Sequence, residues 1–176
     1  MRLQQPDRRS CGAASLIMAR RLVHPRYAGL VTDQATFAHE TTTLHRRLTS
    51  LSDTSGGRQL PWPRAIGTPP WAVARELRLL TGVRYTTHPV RLRRRRTWGH
   101  LEGARPDRPV AVFVGDGFLP RHVVLVTDVE GDHARTYEPA SGITLTVSRD
   151  RWQRVGLRLG GWDRPWLVVG PINPGR

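Results

Sequence analysis

A chain of 176 residues that is 38% apolar and 24% charged, with 17 Gly and 14 Pro, has the composition of one loop-rich folded domain over residues 1–176; a disordered tail and a pair of ordinary domains are both excluded. The single Cys rules out an internal disulfide framework, and no apolar run approaches the roughly 18 residues that span a bilayer, so a soluble protein of the reducing cytoplasm is expected. The net charge is +14 and all 28 Lys and Arg residues are Arg, a balance that favours acidic partners whatever its origin.

In chain order, the first predicted element is a helix over 11–23 (CGAASLIMARRLV), with Ser10 at the N-cap position and Cys11 in the first turn. Arg8-Arg9 ahead of this apolar stretch gives it the look of a twin-arginine export signal. Arg20-Arg21 then stands where a small-residue cleavage site belongs, so the stretch is read as a helix of the fold. A second helix is predicted from about Thr32 to Leu51, carrying Phe37, Leu44, Leu48 and Leu51 and ended by SDTSGG. The third is WAVARELRLLT, bracketed by Pro69-Pro70 at its start and Gly82 at its end. From about Val83 the pattern changes to short β-type runs: VRYTTHPV, PVAVFVG, HVVLVTDVE, ARTYEP, ITLTV and PWLVVG. Helices followed by a mostly antiparallel sheet predict an α+β domain whose site lies where the first helix meets the sheet.

One constellation carries chemistry. A thiol at a helix N-terminus has its thiolate favoured by the helix dipole and nearby N–H groups, and it becomes a nucleophile when a His stands beside it. Cys11 meets the first condition. Of the seven His, His122 is the candidate base because it opens the run HVVLVTDV, a rigid strand able to hold an imidazole at fixed distance. Glu138 ends the next strand and is placed to accept the other ring N–H. Gln5, six residues before Cys11, is a candidate oxyanion donor together with the Cys11 N–H.

The stretches QPDRRSCGAASL, HVVLVTDV and YEPASG together resemble the papain-like cysteine peptidases, most closely the bacteriocin-processing, double-glycine leader peptidases; GTPPWAVARELRLLTG is similar to that family's second-helix segment. The resemblance implies a papain-like α+β fold, a thiol hydrolase acting on peptides, and no cofactor or metal. It places the oxyanion role on Gln5, the nucleophile on Cys11, the base on His122 and the orienting acid on Glu138. Three positions depart from the pattern: Ser10 replaces Asp, Ser15 replaces a second Cys, and Glu138 replaces Asp. The alternative is a catalytically inactive domain of the same fold that binds peptides or polyanions.

Other features carry weaker signals. The His39–His45 segment HETTTLH has a zinc-like look, but a spacing of six places the two His on different sides of a helix, and no metal is expected. Arg91, Arg93, Arg94, Arg95 and Arg96, followed by Trp98, read as a solvated charge run able to make weak, non-specific polyanion contact, with a phosphate grip and a stacking aromatic as the sharper reading. Trp62 and Trp71 read as loop anchors before they read as a groove lining.

Overall fold

The structure, a computed structural model, describes residues 2–154 and 157–172. Four helices come first: α1 (Cys11–Val23), α2 (Pro25–Leu30), α3 (Gln34–Leu48) and α4 (Pro70–Thr81). They are followed by β1 (Tyr85–Pro89), α5 (Thr97–Leu101), β2 (Val110–Gly115), β3 (Pro120–Glu130), β4 (His133–Glu138), β5 (Ile143–Ser148), α6 (Arg149–Gln153) and β6 (Arg164–Pro171). The strands form one antiparallel sheet in the order β1-β6-β2-β3-β4-β5. This is the α+β arrangement expected, with α1 laid directly against β3.

The central strands are buried on both faces, which is why VAVFVG and VVLV read as continuous apolar runs without alternation. Val123, Leu125 and Tyr137 pack with Ala14, Ile17, Phe37 and Leu77 in the layer under α1, α3 and α4. Val124 and Val126, one residue out of phase, pack with Trp98, Leu101 and Trp152 on the other face. Two further helices that the sequence reading did not include, α5 and α6, close the far side of the sheet. Each has five residues, too few to show helical periodicity, and each is held by one fully buried Trp.

Two helix boundaries also differ from expectation. The predicted 32–51 helix is capped by Asp33, whose carboxylate accepts from Thr36 N–H at 2.9 Å, and it stops at Leu48. Past that point Thr49 Oγ1 and Ser50 Oγ donate back to the carbonyls of His45 and Arg47, and Leu51 is left exposed. The short α2 starts at Pro25 and buries none of its residues, so it leaves no apolar stripe to read. By contrast, α4 has the expected ends, with Pro70 at its start and Gly82 at φ 73° closing it. No helix among the described residues is long and apolar enough to cross a membrane.

Candidate active site

Cys11 opens α1 and is 4% exposed. What precedes it decides how its helix begins. Asp7 Oδ1 accepts from the N–H groups of Arg9 (2.7 Å) and Ser10 (3.0 Å), turning the chain into α1, and the first helical bond runs from Ala14 N–H to the Ser10 carbonyl. Ser10 occupies the N-cap position but its hydroxyl makes no capping bond, which corrects the sequence expectation. Asp7 takes over the turn, and the first-turn amides at Cys11 and beyond keep their hydrogens for the site. Gly12 is required for close approach: a Cβ there would stand 2.6 Å from Thr68 Cβ and 2.8 Å from its Oγ1. Ser15, one turn on, donates to the Val123 carbonyl at 3.3 Å and ties α1 to β3.

His122 is the third residue of β3, not its first, because Pro120 already pairs with Gly115 at the end of β2 and Arg121 falls at the irregularity between them. Its side chain is 6% exposed, and its Nε2 lies 2.6 Å from Glu138 Oε1. Cys11 lies close enough to the ring to raise its pKa, while Nε2 is committed to Glu138. Glu138, 4% exposed, ends β4 one strand over. Its Oε1 also accepts from Ala140 N–H (2.8 Å), and its Oε2 accepts from Ser141 N–H (2.8 Å) and Ser141 Oγ (2.6 Å). The carboxylate is thus locked by the turn that follows it.

These contacts set the charges. Burial by itself would lower the His122 pKa, but the hydrogen bonds with Cys11 and Glu138 overcome it and raise the value to about 9. Burial would likewise raise Glu138, yet the bonds from His122, Ser141 and Ala140 bring it down to about 2. Both shifts favour a protonated ring against an ionised carboxylate at neutral pH.

Gln5 is held beside the turn that follows Glu138 by the N-terminal segment, which lies across the β4–β5 turn. Tyr137 O–H donates to the Leu3 carbonyl (2.6 Å), Gln4 Nε2 to the Ser141 carbonyl (3.0 Å) and Gln5 N–H to the Pro139 carbonyl (2.8 Å). One Nε2 hydrogen of Gln5 goes to the Asp7 carbonyl at 2.6 Å, and Oε1 is buried without a partner. The fold therefore bonds His122 to Glu138, sets Cys11 close enough to perturb the ring, and anchors Gln5 beside the turn that carries Glu138. Sequence reading missed Ser141, Thr68 and Gly160. Ser141 and Thr68 lie inside the stretches YEPASG and GTPPWAVARELRLLTG, whereas Gly160 left no trace.

The remaining candidates fall elsewhere. His39 is exposed while His45 is buried, its Nδ1 3.5 Å from Thr68 Oγ1. Trp62 and Trp71 meet edge-to-face with centroids 5.0 Å apart. Arg91, Arg93, Arg95 and Arg96 are exposed, as expected of a solvated run; Arg94–Arg96 make a 3-10 turn, and the run lines an open cleft of about 590 Å³ with Gln153. Trp98 is 1% exposed and so offers no stacking surface, a correction to the sharper reading of that run. Trp166 sits under the Arg91 guanidinium at 4.1 Å.

No family model and no curated protein matches the chain. Among solved structures it is similar to the peptidase domain of Streptococcus mutans ComA, at 15% identity and a TM-score of 0.47 over 98% of each chain. It is similar also to a double glycine motif protease from an AMS/PCAT transporter in complex with the leader peptide, at 13% identity and a TM-score of 0.48 over 98% of this chain and 91% of that one. A third likeness is to the Pseudomonas avirulence protein AvrPphB, at 13% identity and a TM-score of 0.48 over 93% and 91% of the two chains.

Proposed function

We propose that this chain is a papain-like cysteine peptidase or amide hydrolase with Cys11 as nucleophile, His122 as acid and base, Glu138 as the orienting acid and Gln5 as oxyanion donor. The observation that carries the reading is the buried His122 imidazole, held 2.6 Å from Glu138 and close enough to Cys11, at the start of α1, for the thiol to help raise the ring's pKa. A cysteine sulfur beside an imidazole is the arrangement that makes a nucleophile of a thiol. The Cys11 sulfur attacks the peptide carbonyl carbon, and the negative charge moves to its oxygen. That oxygen lies against the Cys11 N–H and the second Nε2 hydrogen of Gln5. As the C–N bond breaks, His122 passes its proton to the leaving amine, leaving a thioester on Cys11. Water then adds to the thioester while His122 takes a proton from it, and the acid is released with the thiolate restored.

A second reading rests on a different observation. The arginine-lined cleft at Arg91, Arg93, Arg94, Arg95 and Arg96 supports polyanion binding that is independent of the thiol. The test of the first reading is turnover of a quenched-fluorescence peptide library, with Cys11→Ala and His122→Ala as blanks. Cleavage by the parent that both substitutions abolish is the expected result; cleavage that survives Cys11→Ala refutes it.

A further inference from the structure

The turn between Leu159 and Trp162 is closed by two reciprocal bonds, Leu159 N–H to the Trp162 carbonyl (3.1 Å) and Trp162 N–H to the Leu159 carbonyl (3.0 Å). Its central residues, Gly160 and Gly161, have φ of 57° and 88°, as a two-residue turn of this hand demands. Both flanks are anchored: Leu159 is 1% exposed and Trp162 packs against the same core cluster as Trp152. The turn is therefore fixed to the face of the sheet beyond α1. What separates the two glycines is what lies next to them. A Cβ on Gly160 would stand 2.6 Å from His122 Cδ2, 2.7 Å from His122 Nε2 and 3.3 Å from Glu138 Oε1, whereas one on Gly161 would meet nothing within 4 Å.

We infer that the Leu159–Trp162 turn is a backbone cover laid over the His122–Glu138 hydrogen bond, and that Gly160 is a positioning residue whose missing side chain lets the cover close. The inference rests on the hydrolase reading for its role in turnover, though not for the cover itself. Water reaching the Nε2···Oε1 bond would compete for both ends and screen the charge pair, and the ring would lose the contact that fixes its tilt toward Cys11. A backbone methylene excludes that water without adding a polar group of its own. Cys11 and Glu138 are the titratable groups against the ring; Arg158 and Asp163 flank the turn, with Asp163 ion-paired to Arg164.

The matched pair of glycines supplies the experiment. Gly160→Ala and Gly161→Ala both put a Cβ on a residue of positive φ, with the backbone strain no smaller at Gly161 (φ 88°) than at Gly160 (φ 57°), but only the first pushes on the imidazole. In Gly160→Ala, kcat/KM falls about tenfold or more, as expected for a displaced catalytic group, and the alkaline limb of its pH profile moves to lower pH. Gly161→Ala keeps turnover within about twofold and leaves the limb in place, because its new methyl touches neither group. In the parent, the His122 Nε2 proton gives a downfield NMR signal that exchanges slowly with water; Gly160→Ala shifts or broadens it. Parent-like turnover and signal in a folded Gly160→Ala, or an equal loss in Gly161→Ala, overturns the inference. Should Gly160→Ala not fold, the parent signal decides: slow exchange upholds the cover, and exchange as fast as that of an exposed His overturns it. A parent that cleaves no peptide sinks the hydrolase reading alone, since the Nε2 proton still reports on the cover.

Discussion

Replacing Glu138 tests how much of the site its carboxylate holds together. Four hydrogen bonds end on it: His122 Nε2 and Ala140 N–H on Oε1, and Ser141 N–H and Oγ on Oε2. Glu138→Ala leaves a buried imidazole and two turn amides without an acceptor. Breaking one side of a buried ion pair costs about 3–5 kcal/mol, so a clear drop in the urea midpoint is expected. Glu138→Gln is less simple than its size suggests. With the amide oxygen at Oε1 the ring stays oriented, but the amide NH2 then faces the Ser141 N–H, donor against donor, at a cost of about 1–3 kcal/mol. The lost charge also removes part of what holds His122 near 9, so the alkaline limb of kcat/KM moves down in pH. Turnover falls roughly 10²-fold in Glu138→Gln, the low end of what positioned acid–base groups supply, and further in Glu138→Ala. Glu138→Asp draws the carboxylate back by one methylene, so it cannot serve both the ring and the 140–141 amides, and it gives partial activity. The assay is peptide turnover from pH 5 to pH 10, alongside urea melts of each variant. A folded Glu138→Gln with the parent rate and the parent pH profile refutes the role given to this residue.

The pair also makes stability pH-dependent in a defined window. His122 is raised from 6.5 to about 9, so its contribution is full below 6.5 and is lost as pH rises through 9; Glu138 is lowered from 4.5 to about 2, so its contribution is full above 4.5 and is lost as pH falls toward 2. The urea midpoint therefore holds between pH 4.5 and 6.5 and declines on both sides, and Glu138→Gln flattens both declines. Gln5→Ala lowers kcat by about 10²-fold with KM little changed, since its amide serves the developing oxyanion; a change confined to KM contradicts that role. Gly12→Ala forces a methyl into Thr68 and costs about 1–3 kcal/mol by overpacking, relieved in part by adding Thr68→Gly; equal melting of Gly12→Ala and parent counts against the contact. Retention on heparin falls steeply with salt, weakens when Arg93 and Arg95 become Glu, and is unmoved by Cys11→Ala; salt-independent retention contradicts a phosphate-type grip.

The parts of the fold that could be read from sequence are those in which local chemistry and the final structure agree. Pro70 and Gly82 bracket α4 because a ring-fixed φ suits a first turn and a left-handed glycine suits a last one. The run HVVLVTDV announced a strand, and within it His122 stood out as the one polar residue among apolar neighbours that the fold also buries. Harder to read were elements whose reason lies elsewhere in the chain. Buried Trp98 and Trp152 hold α5 and α6 against the sheet, and nothing within five residues signals a helix. Ser10 carried the right side chain for a cap and lost the task to Asp7, three residues earlier. Gly160 follows His122 by 38 positions, and only the return of the chain over β3 and β4 reveals why it has no side chain.

The central claim is that Cys11 becomes acylated, and acid quenching during turnover of a peptide or ester substrate tests it directly. Mass spectrometry of the quenched parent should find an acyl mass on the peptide containing Cys11, lost on hydroxylamine treatment and absent from Cys11→Ala and His122→Ala. Turnover with no acyl group on Cys11 under any quench time, and with hydrolysis persisting in Cys11→Ala, would contradict it.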